Sequence, residues 1–344
     1  MELKRILIVG LGSIGKRHLR LAREMFPEAD IRVLRHQDCD HIPDLADGCF
    51  FDIGRAVECA PQIAVIANPA PFHVATALTL ANSGADLLIE KPIAANVDGV
   101  AELLATVRRK NVTLLIGYNL RFMPSLRKFR DLLNAQEVGR VLSVRCEIGQ
   151  YLPSWRQDRD YRQGVSARQR LGGGALLELS HEIDYLRWIF GEIEQVQAVV
   201  GRQSSLEIDV EDTAHLILGF TPEADGRQLV GTLNMDFVRH DTTRLCTAIC
   251  ENGSLRWNGL TGAVEKFASG EKEWRELFRH QGQRDDSYLE EWRHFVDCIE
   301  GEAEPLITGK DGLRVLKVID AARRASETGS RAMVAACADG EAMR

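Results

Sequence analysis

Residues 5–15 read RILIVGLGSIG and decide the fold, because an apolar run passes directly into glycines spaced as G-x-G-x-x-G. The run predicts a buried strand, and the residues after it have the spacing of an amphipathic helix. In that context Gly10 permits a tight turn, Gly12 lets the backbone approach a pyrophosphate, and Gly15 allows close packing of helix on strand. This stretch therefore predicts a dinucleotide-binding turn, with a purely structural glycine turn as the alternative.

The two residues between the second and third glycines, Ser13 and Ile14, open the predicted helix. A helix N-terminus presents unbonded N–H groups and the positive end of the helix dipole, so a phosphate is stabilised there. We therefore count Ser13 and Ile14 with the three glycines as predicted cofactor-binding residues.

Short apolar runs alternate with amphipathic stretches over the first third of the chain, the pattern of βαβ units and a parallel sheet. The predicted strands are Arg5–Gly10, Ile31–Arg35, Ile63–Ala67, Asp86–Glu90 and Thr113–Tyr118. The predicted helices are Ile14–Phe26, Asp52–Ala60, Phe72–Ser83 and Asn96–Lys110. Residues 1–121 are thus predicted to form a doubly wound α/β domain of the Rossmann type.

Residues 122–344 are predicted to form a second α/β domain, because consecutive strands without intervening helices usually make an antiparallel sheet. Its predicted strands are Val141–Leu152, Val196–Arg202, Thr213–Phe220, Leu229–Val238 and Thr243–Trp257. Its predicted helices are Pro124–Asn134, a helix from residue 175 to Phe190, Ser287–Glu300 and Asp311–Thr328. Residues 151–170 are predicted to form an extended loop.

Composition excludes several classes of function. The 344 residues carry 43 Lys and Arg against 50 Asp and Glu, a net charge of -7, which disfavours nucleic acid and anionic membranes as partners. The eight cysteines are scattered without a C-x-x-C pair, which favours a reducing compartment, and no metal-ligand set is predicted. No apolar run approaches the ~20 residues of a membrane span. We expect a cytoplasmic protein.

Arg35 ends the second predicted strand, where proteins that prefer NAD commonly have an acidic residue for the adenine ribose. A basic residue suits a 2′-phosphate better, so Arg35 favours NADP(H) over NAD(H). The alternative is a solvated Arg35 with Asp38 or Asp40 at the ribose.

Glu90-Lys91-Pro92 follows another predicted strand, at the carboxyl edge where open α/β sheets bind ligands. Lys91 there could act on a substrate beside the nicotinamide. From the tripeptide alone, a surface lysine paired with Glu90 is an equal alternative.

These features together resemble the glucose-fructose oxidoreductase and inositol dehydrogenase family, Gfo/Idh/MocA. The resemblance rests on motifs in order along nearly the whole chain: Gly10 to Gly15, Asn68-Pro69 with His73, Glu90-Lys91-Pro92, Gly117-Tyr118-Asn119 with Arg121-Phe122, and Gly173-Gly174 leading to His181-Glu182-Ile183-Asp184. It implies a Rossmann domain, a second domain with a mostly antiparallel open sheet, NAD(P)-dependent chemistry on a sugar, sugar nucleotide or cyclic polyol, and a homodimer or homotetramer. A dinucleotide-binding sensor of the same fold is the non-catalytic alternative.

The resemblance also implies roles for single residues. Lys91 matches the lysine that hydrogen-bonds substrate and cofactor, and His181 matches the general acid/base. The remaining matches are cofactor-binding Asn68, His73 and Glu90, and substrate-binding Asn119 and Arg121. Glu178, Asp184 and Tyr185 are further substrate-binding candidates from their places near His181, although a polar residue within a helix is also ordinary. Many relatives have an aspartate four residues before the histidine, where this chain has Leu177, so Glu178 is the candidate replacement. We expect Lys91 and His181 to act on one carbinol.

Two further sets of residues have open interpretations. His181 lies off the apolar stripe of its predicted helix, on a face shared with Glu178 and Tyr185, whereas His18 is expected to face solvent or the cofactor domain. The loop arginines Arg156, Arg159, Arg162, Arg168 and Arg170 could bind an anionic substrate. A mobile charged insertion or an oligomer contact is the equal alternative.

Overall fold

The computed structural model describes residues 4–36, 41–155, 160–283 and 285–336, which divide into two units. The first unit contains a six-stranded parallel sheet in the order β3-β2-β1-β4-β5-β6. This is the strand order of a Rossmann fold, so the predicted doubly wound sheet is confirmed. Its elements are β1 (Arg5–Val9), α1 (Ser13–Met25), β2 (Asp30–Leu34), β3 (Gly48–Phe50), α2 (Ile53–Glu58), β4 (Ile63–Ile66), α3 (His73–Asn82), β5 (Asp86–Glu90), α4 (Val100–Lys110) and β6 (Leu114–Gly117).

The central strands are apolar throughout because helices cover both faces of the sheet. All four residues of β4 are buried, as are all four of β6. Two details differ from the prediction. The three-residue strand β3 is too short to give a pattern, and α4 begins at Val100 because Gly99 has a φ of 72°.

The second unit is built on a nine-stranded sheet in the order β14-β13-β12-β11-β7-β10-β9-β8-β15. Neighbouring strands are antiparallel except β7 and β10, which confirms a mostly antiparallel sheet. Its elements are α5 (Pro124–Asn134), β7 (Val141–Gly149), α6 (Ala175–Glu178), α7 (His181–Phe190), β8 (Ile193–Gly201), β9 (Thr213–Phe220), β10 (Val230–Asp236), β11 (Thr243–Cys250), β12 (Gly253–Asn258), β13 (Ala263–Ala268), β14 (Arg275–Arg279) and β15 (Ala332–Met333).

Three predictions for this unit are wrong. The single strand Thr243–Trp257 is two antiparallel strands, because the chain turns between Cys250 and Gly253. The extended loop of residues 151–170 instead contains successive 3₁₀ turns in its described part, the first at Leu152–Ser154. The helix predicted from residue 175 to Phe190 is broken after Glu178, a break that matters for the site below.

Two helices close the chain, α8 (Asp286–Ile299) and α9 (Gly309–Thr328). The first unit contains residues up to Tyr118 together with Leu289–Leu316, so this closing segment belongs largely to the nucleotide-binding unit rather than to the predicted domain 122–344. The reason is that it completes that unit's core. Ile116 donates its backbone N–H to the Ile307 carbonyl at 3.1 Å, and Gly312 packs directly on Ile93.

In the helices of the described residues, we find no segment with the length and apolarity needed to cross a membrane.

Candidate active site

The glycine turn has the geometry that its spacing predicts. Gly10 has a φ of +87°, and a Cβ at this position would meet the Asn68 nitrogen at 2.8 Å. A Cβ on Gly15 would lie 2.0 Å from the Gly10 carbonyl oxygen, so only glycine allows α1 to start this close to β1. At Gly12, by contrast, no atom lies within 4 Å of the Cβ position. The first and third glycines therefore shape the turn, while the second leaves open space above the backbone.

The start of α1 is suited to an anion. Gly12 is the N-cap residue, so no side chain caps the helix, and its first turn contains no acidic residue. The first-turn N–H groups and the positive end of the helix dipole are thus left to a ligand. Together with the open space at Gly12, this arrangement fits the pyrophosphate of a dinucleotide, which Ser13 and Ile14 would flank.

Arg35 lies directly after β2, and its backbone N–H donates to the Phe50 carbonyl at 2.9 Å. Within the part of the chain that the structure describes, no hydrogen bond or ion pair engages its guanidinium. Asp38 and Asp40, the alternative ribose ligands, lie outside the described residues.

Asn68 and His73 follow β4 at the carboxyl edge of the sheet. The Asn68 amide nitrogen donates to the Thr76 hydroxyl at 3.3 Å, whereas its Oδ1 is buried without a hydrogen-bond partner among the described residues. Buried polar atoms normally have a hydrogen-bond partner, and a donor on a bound ligand would supply one for this oxygen. His73 is buried, with Nε2 2.7 Å from the Asn68 carbonyl and Nδ1 2.9 Å from the Pro92 carbonyl. Both ring nitrogens thus lie within hydrogen-bond distance of a backbone carbonyl, and the neutral ring can donate to one of the two.

Glu90 ends β5 with its carboxylate turned into the protein. Its Oε1 lies 2.8 Å from His18 Nε2, and its Oε2 accepts the backbone N–H of Lys91 at 3.1 Å. Lys91, the next residue, is half-buried. Gly117 on the neighbouring strand packs closely on Glu90, since a Cβ at Gly117 would lie 3.1 Å from the Glu90 Cα. Glu90 is 6% exposed, so it is not the surface residue that the alternative of a surface pair with Lys91 supposed.

In the second unit, Asn119 and Arg121 occupy a 3₁₀ turn and are both buried. The Asn119 amide nitrogen donates to the Ser287 hydroxyl at 2.8 Å. Arg121 forms a two-pronged ion pair with Asp184, with Nε–Oδ2 and Nη2–Oδ1 distances of 2.9 and 2.6 Å. The expectation that these residues contact substrate stays a prediction, and their internal partners count against it.

The glycine run before α6 brings the His181 segment against a neighbouring loop. A Cβ on Gly173 would lie 2.4 Å from the Val165 carbonyl oxygen, and Gly174 has a φ of +106°. Helix α6 then ends at Glu178, and α7 starts afresh at His181. His181 is consequently the first residue of a helix rather than a mid-helix residue, and the predicted i, i+3 relation to Glu178 within one helix is wrong.

His181 is half-buried, with its Nδ1 shielded from solvent. Glu178 accepts the Ser166 hydroxyl on Oε2 at 2.6 Å, which occupies one of its two carboxylate oxygens. That Glu178 orients His181 in place of the family aspartate stays a prediction.

Buried polar contacts hold α7 in place. Asp184 pairs with Arg121, and Glu182 accepts from Arg244 of β11 at 2.8 Å. The Tyr185 hydroxyl lies 2.9 Å from the Cys146 sulfur, and burial raises the pKa of both groups well above their ordinary values, so both stay neutral. The helix that begins with His181 is thus fixed by contacts to the turn that contains Arg121 and to strands β7 and β11 of the sheet. Tyr185 is fully buried, which counts against its predicted contact with substrate.

The arginine-rich loop has internal partners where it is described. Arg162 pairs with Asp160 and Glu207, which raises the pKa of its guanidinium, and Arg168 pairs with Asp209. Arg156 and Arg159 lie outside the described residues. The pairings of Arg162 and Arg168 favour a structural role for these two over binding of an anionic substrate.

Family models match both units. Residues 4–118 match the oxidoreductase family with an NAD-binding Rossmann fold, and residues 130–334 match the C-terminal alpha/beta domain of the same family. The chain belongs to the Gfo/Idh/MocA oxidoreductase family. The expected family, fold and enzyme class are thereby confirmed, and the alternative of a non-catalytic sensor loses support. Membership shows a nicotinamide dinucleotide cofactor without deciding between NAD and NADP.

Similar proteins include myo-inositol 2-dehydrogenase of Thermotoga maritima, 23% identical over 340 residues that cover 94% of this chain and 96% of the relative. A solved structure of levoglucosan dehydrogenase in complex with NADH aligns with a TM-score of 0.83 and 20% identity, covering 97% of this chain and 100% of that one. The WlbA dehydrogenase from Bordetella pertussis in complex with NADH and UDP-GlcNAcA aligns with a TM-score of 0.78 and 20% identity, covering 97% and 99%. These structures confirm the fold.

Sequence analysis missed His18, which is fully buried against Glu90 rather than facing solvent. Its position on α1 gave a usable signal. His18 follows Gly15 by three residues and precedes Leu21 and Ala22 by three and four, and all of these are buried on one side of the helix.

Proposed function

We propose that this oxidoreductase transfers a hydride between the nicotinamide of NAD(P)(H) and a secondary carbinol of a sugar, sugar nucleotide or cyclic polyol. The observation that carries the proposal is the family match over both units, with Lys91 and His181 retained. The named relatives support the substrate class, since their names refer to myo-inositol, levoglucosan and a UDP-sugar acid.

In this proposal the cofactor is held by the glycine turn Gly10–Gly15, by Arg35 at the adenosine end and by Asn68 at the carboxyl edge. The cofactor supplies the hydride acceptor or donor. Asn68 Oδ1 accepts a hydrogen bond from it, which explains an otherwise unsatisfied buried oxygen. His73 does not touch the cofactor, because both of its nitrogens face backbone carbonyls, and it positions Asn68 instead.

His181 takes the carbinol proton during oxidation and returns it during reduction, as histidine side chains exchange protons near neutral pH. Because its Nδ1 is shielded from solvent, we assign the exchange to Nε2. Lys91 is assigned the family role of hydrogen-bonding substrate and cofactor, in which its ammonium group stabilises negative charge that develops on the substrate.

The test is nicotinamide reduction or oxidation across a panel of sugars, uronic acids, polyols and nucleotide sugars. With a substrate confirmed for the parent enzyme, Lys91→Met and His181→Ala should each lower turnover at least ~100-fold, while dinucleotide affinity changes little. Glu178→Gln should have a smaller effect. The matched control for Lys91→Met is Lys110→Met, which changes an exposed lysine. Wild-type turnover in His181→Ala would remove this histidine from the mechanism.

We further propose that the enzyme prefers NADP(H), because the guanidinium of Arg35 has no partner among the described residues and lies directly after β2. Arg35→Ala should lose a charge-assisted contact of about 1.5–3 kcal/mol with NADP(H) and little with NAD(H). Tighter binding of NAD(H) by the unmutated protein, measured by titration calorimetry, would refute the preference.

An oligomer through the outer sheet face is the proposed assembly. Val199, Ile217 and Val230 are exposed on strands β8 to β10, with relative exposures of 63%, 47% and 43%. They lie among polar residues such as His215, so this face is less apolar than its sequence suggested. Light scattering should show a dimer or tetramer at micromolar concentration, and Ile217→Glu should shift it toward the monomer. A monomeric parent protein would refute the assembly.

A further inference from the structure

Three ionisable side chains gather in the core of the first unit, immediately behind Lys91. They are His18 of α1, Glu90 of β5 and Glu291 of α8, and one ring nitrogen of His18 and one carboxyl oxygen of each glutamate lie within 4.8 Å of one another. His18 and Glu291 are 0% exposed and Glu90 is 6% exposed. Among the described His, Cys, Asp and Glu residues, His18 and Glu90 cluster with Glu291, and the charge that acts on Glu291 is that of Glu90. Buried ionisable groups are costly, so the charge on each one matters.

A tryptophan fixes the proton on His18. The indole Nε1 of Trp292 lies 3.0 Å from His18 Nδ1, and an indole N–H can only donate. His18 Nδ1 is therefore the acceptor and has no hydrogen of its own. In the neutral ring the hydrogen lies on Nε2, which is 2.8 Å from Glu90 Oε1, so His18 donates to Glu90. Because Nε2 carries a hydrogen in this arrangement, it cannot ligate a metal ion, and a metal site does not explain the cluster.

The two carboxyl groups differ in their donors. Glu90 accepts from His18 on Oε1 and from the Lys91 backbone on Oε2, which stabilises the ionised form. Neither oxygen of Glu291 has a hydrogen-bond partner among the described residues. A buried carboxylate without donors is far less stable than the acid, so the proton resides on Glu291. Burial and the charge of Glu90 both raise the pKa of Glu291 well above its ordinary value.

We propose that Glu90 and Glu291 form a buried acid pair that carries one proton and holds a single negative charge behind Lys91, where it favours the oxidised nicotinamide over the reduced one. The inference rests on the proposed function, in which Lys91 lies beside the nicotinamide. The oxidised ring is positively charged and the reduced ring is neutral, so a fixed negative charge nearby stabilises the oxidised form selectively. The same positive ring favours ionisation of Glu291, so binding of the oxidised cofactor increases the fraction of molecules in which Glu291 has lost its proton. Glu291 is thus a positioning residue that acts through Glu90.

The first experiment locates the proton without a ligand. Infrared spectra of the full-length protein in ¹H₂O and ²H₂O at neutral pH should contain the C=O band of a protonated carboxylic acid. Glu291→Gln should remove that band, whereas Glu290→Gln, which changes an exposed neighbour paired with Arg293, should leave it. Absence of the band from the parent protein, or its persistence in Glu291→Gln, would overturn the pair.

The second experiment measures the effect on the cofactor. Titration calorimetry in buffers of different ionisation enthalpy counts the protons released on binding of NADP⁺ and NADPH. The parent protein should release more protons with NADP⁺ than with NADPH, because both carry the 2′-phosphate but only NADP⁺ has a charged ring, and Glu291→Gln should abolish that difference. Glu90→Gln should raise the ratio of the NADP⁺ and NADPH dissociation constants about tenfold or more.

Four outcomes can be told apart. Equal weakening of both redox forms by Glu90→Gln would overturn the electrostatic role. Proton release that is unchanged in Glu291→Gln would remove Glu291 from it. Failure of the parent protein to bind NAD(H) as well as NADP(H) would refute the proposed function, and failure with NADP(H) alone would refute only the NADP(H) preference. In both cases the infrared result would still decide the acid pair. The binding of NADP⁺ and NADPH is compared in the parent protein without any variant, so this measurement can overturn the proposal even if a variant fails to fold.

Discussion

Replacing Asp184 with Asn tests whether the buried pair with Arg121 is structural or belongs to the substrate site. The pair has two contacts, at 2.9 and 2.6 Å, and its side chains are 4% and 2% exposed. Removing one charge from such a pair leaves the other buried without compensation, which typically costs about 3–5 kcal/mol. That is a large part of the ~5–15 kcal/mol by which native proteins are stable. At roughly 2–4 °C per kcal/mol for a unit of this size, Tm should fall by roughly 6–20 °C.

The assay is urea unfolding followed by tryptophan fluorescence, for which Trp188 lies 5.7 Å from the Arg121 guanidinium. The control is Glu276→Gln in the same unit, which breaks a pair with Arg279 whose two side chains are both exposed, 43% for Glu276 and 39% for Arg279. It should cost no more than about 1 kcal/mol. The double variant Arg121→Met with Asp184→Leu should recover much of the loss. If Asp184→Asn is as stable as the control and instead raises KM, the structural reasoning is wrong and the predicted substrate contact is restored.

Two further predictions follow from the first unit. Gly12→Ala should change the free energy of unfolding by less than about 0.5 kcal/mol, because nothing lies within 4 Å of its Cβ position, yet it should weaken dinucleotide binding measured by calorimetry. Gly15→Ala should lower the free energy of unfolding by about 1–3 kcal/mol, because its Cβ would lie 2.0 Å from the Gly10 carbonyl oxygen. Burial lowers the pKa of His73 below its ordinary value of 6.5, so the unfolded chain binds the extra proton and stability is lost as pH falls below that value. His73→Asn should reduce this loss of stability, measured as the fall in the urea midpoint of unfolding from pH 7 to pH 5. An unchanged dependence of the midpoint on pH would contradict the assignment.

The sequence predicts what is decided locally. The turn Gly10–Gly15 follows from its own spacing, and β4 and β6 follow from apolar runs bounded by turns. Elements that depend on distant partners were missed. Strand β13 reads AVEKFA and β14 reads RELFR, and neither gives an apolar run long enough to stand out; they form because β12 offers an edge to pair with.

The same division applies to the candidate site. Motif positions such as Lys91 and His181 could be picked from the sequence, but the partners of the polar residues around them could not. Arg121 and Asp184 are separated by 63 residues, and His18 and Trp292 by 274. Only the folded chain shows that these polar groups satisfy one another. The restart of the helix at His181 is likewise a tertiary effect, because the glycines before it pack against residues 165 and 166.

The polar residues that the motifs single out are of two kinds, according to whether they have buried partners within their own unit. Arg121, Asp184, His73 and Glu90 have buried partners within their own unit, so changing them should alter geometry or stability before it alters recognition. Asn68 Oδ1 and the guanidinium of Arg35 have no such partner in the described part of the chain, so a ligand is the partner that would satisfy them. Because an unsatisfied buried polar atom costs about 1–3 kcal/mol, the state of Asn68 Oδ1 is better explained by ligand binding than by folding. For Asn68 we therefore expect substitutions that weaken dinucleotide binding while leaving unfolding unchanged.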